Sequence, residues 1–97
     1  MPKGYWIVHV TVDDPAAYEA YRQANAAPLA RHGGRFLVRG GAQEVVEGTA
    51  RARSVVIEFP SPEAARACWD DQQYVAARAL RQGVSQADIV IVDGWDS

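Results

Sequence analysis

His9 and Glu58 are the two side chains of this sequence best suited to moving a proton. Each lies in a run of β-branched and aromatic residues, Tyr5 to Val12 and Arg53 to Phe59. Alternation along a strand puts both on the face that also carries Tyr5, Ile7 and Val56. A carboxylate beside an imidazole in that apolar setting would orient the ring and raise its pKa. The expected result is a general acid or base working near neutral pH. The competing reading is an interface hydrogen bond that satisfies two buried polar groups.

Arg39 is the second candidate. It ends an apolar strand and precedes Gly40-Gly41. Its planar fork is therefore expected at a pocket rim, holding a carboxylate or another anion. Glu47, across the hairpin, is the alternative partner. Arg53 and Arg81 offer weaker versions of the same role. Tyr18, Tyr21, Trp69 and Tyr74 form an aromatic set that either lines a ligand pocket with hydroxyl tips or simply fills the core. Cys68 has no His or Lys beside it and reads as a small buried hydrophobe. His32 sits at a helix end, where positive charge complements the dipole.

Neither a metal site nor a phosphate loop is expected. His9, His32, Cys68 and the Asp pairs lack ligand spacing, and the Gly pairs flank a strand rather than open a helix. Haem is disfavoured because neither His is placed as an axial ligand. No cofactor is expected.

These candidates need elements to position them. The first strand is Tyr5 to Val12. Asp14 is the N-cap and Pro15 the first residue of a helix expected to run to about Arg31. Tyr18, Tyr21, Asn25 and Leu29 make its buried stripe. Pro28 is expected to kink it or restart it, and Gly33-Gly34 to stop it. Arg35 to Arg39 is the second strand. Ala42 to Ala52 is a hairpin connection with short strand character expected at Val45-Val46 and a turn at Glu47-Gly48. Arg53 to Phe59 is the third strand. Ser61 and Pro62 cap a helix that turns Ala64, Ala65, Cys68 and Trp69 inward. Asp70-Asp71 interrupts it and recaps a piece from Gln72 to Gln82, whose apolar members are Val75, Ala76, Ala79 and Leu80. Ala87 to Asp93 is the last strand. The order βαββαβ predicts an α+β ferredoxin-like domain spanning residues 1–97, a four-stranded antiparallel sheet with helices on one face.

Composition narrows the function classes. Ten Lys and Arg against twelve Asp and Glu leave a net charge of −2, which argues against a nucleic-acid binder. No apolar run is long enough to cross a membrane. No signal peptide opens the chain, and a single cysteine suits a reducing compartment, so a cytoplasmic location is expected.

The strands are apolar on both faces. Trp6, Val8, Val10 and Val12 oppose Tyr5 and Ile7, and Ile89 and Ile91 oppose Val90 and Val92. Two helices cover only one face, and large exposed apolar patches mark interfaces. A homodimer through the free sheet face is expected, closing a dimeric α+β barrel.

The sequence also resembles a known family. The resemblance rests on Gly4-Tyr5-Trp6, on Asp14-Pro15 with Tyr18 and Tyr21, and on Gly33-Gly34-Arg35-Phe36-Leu37-Val38-Arg39-Gly40-Gly41. Glu47-Gly48, Val56-Ile57-Glu58-Phe59-Pro60-Ser61, Trp69, Tyr74, Arg81 and Asp93-Gly94 complete it. Together these resemble the domain of unknown function 1330 family, in the dimeric α+β barrel superfamily. The family usually has Ser-Pro where this chain has Asp71-Gln72, and both pairs can cap a helix. The resemblance implies the ferredoxin-like fold and a dimer, and no established activity. Superfamily relatives include cofactor-free monooxygenases, lactone isomerases and haem enzymes, which is fold analogy alone.

Two functional expectations follow. One is a protein that binds or transforms a small acidic or aromatic molecule, with a cavity on which polar groups converge. The other is a compact, non-catalytic dimeric module with a filled interior.

Overall fold

The computed structural model describes residues 2–95. The order is β1 (Gly4–Val12), α1 (Pro15–Ala24), α2 (Ala26–Arg31), β2 (Arg35–Arg39), β3 (Arg53–Phe59), α3 (Pro62–Asp70), α4 (Gln72–Ala79) and β4 (Ser85–Asp93). The strands form one antiparallel sheet in the order β2-β3-β1-β4. This is the ferredoxin-like arrangement expected, with each helical unit split in two.

The caps form as the local sequence dictates. The Ala17 amide donates to Asp14 Oδ1 at 3.1 Å, the Ala64 amide to Ser61 Oγ at 3.1 Å, and the Gln73 amide to Asp71 Oδ1 at 2.7 Å. The first helix does not run unbroken to Arg31. It ends at Ala24, because Pro28 has no amide to offer the Ala24 carbonyl and its ring crowds that oxygen. Asn25 sits at the break, its amide still bonded to the Tyr21 carbonyl at 2.9 Å.

Three further expectations are corrected. Val45-Val46 carries no strand, and Val46 is 85% exposed. The piece opened by Asp71 stops at Ala79 rather than Gln82 and continues as turns. It buries Tyr74 and Ala77, while Val75, Ala76, Ala79 and Leu80 face outward.

The core lies between the helices and one sheet face. Trp6, Val10, Val55, Ile57 and Phe59 from the strands meet Tyr18, Tyr21, Leu29, Ala65, Cys68, Tyr74 and Ala77. Trp6 is its hub, with Phe59 at 5.1 Å and Tyr74 at 5.0 Å between ring centroids. The Cα trace is only 16 Å thick, the depth of one helix layer on one sheet. The far face is uncovered, with Val38 42%, Val90 57% and Val92 42% exposed. The two ends of the sheet's central edge meet, since the Gly94 amide donates to the Lys3 carbonyl at 2.7 Å.

A β-bulge lies in β2. Phe36 pairs with Ile57, yet Val38 pairs with Val56 and Arg39 with Val55. Leu37 is the extra residue. Were Leu37 paired opposite Val56 in a regular ladder, Arg39 would fall opposite Ser54 and join the uncovered face; the bulge turns it to the helix side.

Candidate functional site

A cavity of about 40 Å³ lies between α1, α4 and the sheet. Its walls are Trp6, Phe36, Tyr18, Tyr21, Tyr74 and the aliphatic strand residues, with Asn25 at the end of α1. Four arginines reach it: Arg22, Arg39, Arg53 and Arg81. Among the described residues no carboxylate lines it. Arg22 is shared with Glu19 on the outside, at 3.3 Å. The chain as a whole carries a net charge of −2, yet the charged side chains of this lining are all cationic.

Each position has a structural cause. Tyr18 and Tyr21 are three apart on α1 and so share its inner face. The Tyr21 and Tyr74 hydroxyls are 2.8 Å apart and buried. Burial, then the neighbouring Tyr21, pushes the Tyr74 phenol well above its ordinary pKa; burial does the same to Tyr18. These phenols stay protonated and act as hydrogen-bonding groups rather than bases. Arg81 lies beside the Tyr21–Tyr74 pair and stacks over Tyr21, 5.1 Å from its centroid. Arg39 lies over Phe36 at 4.3 Å rather than on Glu47. Arg53 lies against Gly40, whose φ of +70° and missing side chain leave room for the guanidinium.

Tyr18, Tyr21, Arg39 and Tyr74 thus meet in one place, as their residue types suggested. Trp69 does not join them. It stands edge-on to Trp6 at 5.7 Å, under the Arg78 guanidinium at 4.0 Å, beside a separate groove with Arg66, Ile89 and Ile91. Sequence reasoning ranked Arg53 and Arg81 too low and gave Asn25 no role. The signal for Asn25 was present, since it is a polar residue on a buried stripe.

His9 and Glu58 share the uncovered face but do not meet. Tyr5 is opposite Glu58 and Ser54 is opposite His9, four residues further along, or about 13 Å. Glu58 instead accepts from the Tyr5 hydroxyl at 2.9 Å and Arg35 Nε at 2.9 Å, with Lys3 at 3.8 Å. The Tyr5 hydrogen bond, then that from Arg35, holds its carboxyl below the usual range. His9 is exposed, with Nδ1 3.2 Å from Ser54 Oγ. Ser54 donates to Gln43 Oε1 at 2.7 Å, and Gln43 Nε2 donates to the Arg51 carbonyl at 2.8 Å. That direction makes His9 Nδ1 the donor. The imidazole is oriented by a serine and not by the expected carboxylate.

Cys68 is buried, its thiol pushed up to about 12 by burial and then by Asp71. Asp71 clasps α2 to α4. Arg31 reaches it at 2.6 Å and His32 at 2.7 Å, so His32 has a specific partner beyond the helix end expected of it. Among the described residues no cluster of three or more His, Cys, Asp or Glu could hold a metal, and no helix is long and apolar enough to cross a membrane.

The fold and its cavity together define a ferredoxin-like α+β domain. Solved structures agree. A protein of unknown function from Rhodopseudomonas palustris is 17% identical with a TM-score of 0.80, over 99% of this chain and 85% of that one. SnoaB, a cofactor-independent oxygenase from Streptomyces nogalater, is 17% identical with a TM-score of 0.65, over 100% and 97%. A candidate antibiotic biosynthesis monooxygenase from Nitrosomonas europaea is 22% identical with a TM-score of 0.64, over 95% and 89%. At such identities the likeness establishes the fold. The chain belongs to the domain of unknown function family DUF1330, whose profile matches residues 3–95. No curated protein matches its sequence significantly.

Proposed function

We propose that this protein binds a small acidic molecule with a flat apolar body in the cavity between helices and sheet, and that it does so as a homodimer. The observation that carries the reading is the lining: guanidinium groups of Arg39, Arg53 and Arg81 around aromatic walls, with no carboxylate among the described residues to neutralise them. Such forks fit a carboxylate or enolate oxygen, and the rings of Tyr18, Phe36 and Trp6 fit a planar body. The fold likeness to an oxygenase and a candidate monooxygenase is in keeping with a ligand that is transformed there. Arg39 is the exposed arginine of the lining, so it must swing outward to admit the ligand.

The homodimer rests on the uncovered face. Tyr5, Ile7, Val38, Val56, Val90 and Val92 share it, and burying each such side chain is worth about 1.5–3 kcal/mol.

The narrowness of the cavity favours a second reading. About 40 Å³ holds water but no aromatic acid without rearrangement, as a non-catalytic dimeric module would have. Thermal denaturation with millimolar benzoate separates the two. The binding reading expects a raised Tm that is lost in the Arg39→Gln/Arg53→Gln double variant. An unchanged Tm with benzoate and with every other aromatic acid tested would leave the module.

A further inference from the structure

Two residues that line the cavity carry buried polar atoms of opposite kind that the protein itself leaves unpaired. Asn25 Oδ1 is an acceptor without a donor, on a residue only 6% exposed. Arg53 Nε is a donor without an acceptor. Both residues line the same cavity, one from the helical side and one from β3.

Asn25 stands before α2 with a helical backbone, φ −79° and ψ −15°, and makes no side-chain capping bond. Its side-chain oxygen is therefore not used by the helix. A buried unpaired carbonyl costs about 1–3 kcal/mol. The nearby phenols do not relieve it: their hydroxyls meet each other at 2.8 Å, and Asn25 Oδ1 has no partner.

We infer that the ligand is an acid that also carries its own hydrogen-bond donor, a hydroxyl or N–H on the flat body, which Asn25 Oδ1 accepts while Arg53 holds the anionic oxygen. The inference rests on the proposed binding of an acidic molecule and adds the donor. It makes Asn25 the residue that separates hydroxylated acids from their bare parents. A site built to accept from a ligand hydroxyl rejects the analogue lacking it, since the acceptor is then left dry.

Calorimetric titration of the full chain at pH 7 tests it with benzoate, the three monohydroxybenzoates and their methoxy counterparts. At least one hydroxy isomer is expected to bind roughly tenfold or more tighter than benzoate, and its methoxy counterpart is not. Asn25→Leu should erase that preference while leaving benzoate affinity within a few fold. Equal affinity for benzoate and all three hydroxy acids would overturn the inference and leave the binding reading standing. So would a preference that survives methylation, because shape and not donation would then explain it. Should Asn25→Leu not fold, the hydroxy and methoxy comparison on the unaltered chain decides alone. If no acid binds at all, the binding reading falls and this inference with it.

Discussion

The hydroxyls of Tyr21 and Tyr74 meet 2.8 Å apart in the interior and tie the first helix to the last. One phenol donates to the other. Removing either hydroxyl leaves its mate short of a partner. Tyr21→Phe and Tyr74→Phe are each expected to cost about 1–2 kcal/mol in urea unfolding. The double variant should cost less than their sum, since neither oxygen is then left behind. Strict additivity would mean that the pair is not coupled.

Inserting one alanine between Val38 and Arg39 shifts the register beyond the bulge by one residue. Arg39 would then pair with Ser54 and project from the uncovered face. The expected result is a folded protein whose affinity for aromatic acids falls roughly tenfold or more, read by calorimetry. Unaltered affinity would show that Arg39 is not used.

Stability should fall in acid through Asp71. Arg31, then His32, holds its folded carboxyl well below the ordinary value of 3.8. The unfolded chain therefore binds the proton first as pH drops. The contribution is complete well above 3.8 and is lost as pH falls beneath it. Asp71→Asn should lower the denaturation midpoint at pH 7 and flatten its decline between about pH 5 and pH 2. Parallel pH profiles for the two proteins would refute the assignment.

Cys68 should resist thiol reagents in the folded protein. Its thiol is buried against the Pro28 carbonyl, and burial moves its titration up to about 12. A disulfide reagent at pH 8 is expected to label it only after guanidinium unfolding. Rapid labelling of the native protein would show that α3 opens readily.

Val90→Asp places a charge at the centre of the uncovered face. The unaltered chain is expected to sediment at micromolar concentration with twice its own mass, and the variant as a single chain. A single-chain species for both would remove the dimer.

The local features were legible in advance. Asp14, Ser61 and Asp71 announce their caps because a cap needs only residues within one turn. The two-sided apolar character of the strands was equally plain. What was hidden depends on register. Glu58 bonds Tyr5 because the ladder sets them opposite, and no local pattern says that His9 lies four residues away. The reach of Arg39 into the cavity depends on a bulge that only pairing with β3 reveals. In α4 apolar residues occupy both sides of a short helix, so Val75 and Leu80 looked as suitable for burial as Tyr74 and Ala77. Tyr74 won because α1 brings a second phenol to meet it.

The bond between Gly94 and Lys3 has a topological consequence. A short linker joining these two neighbours would make the backbone a closed ring, and a new break could be opened near Val46, outside every strand. The succession in which the strands leave the ribosome is therefore separable from the succession in which they lie side by side, and a rewired polypeptide should reach the same architecture.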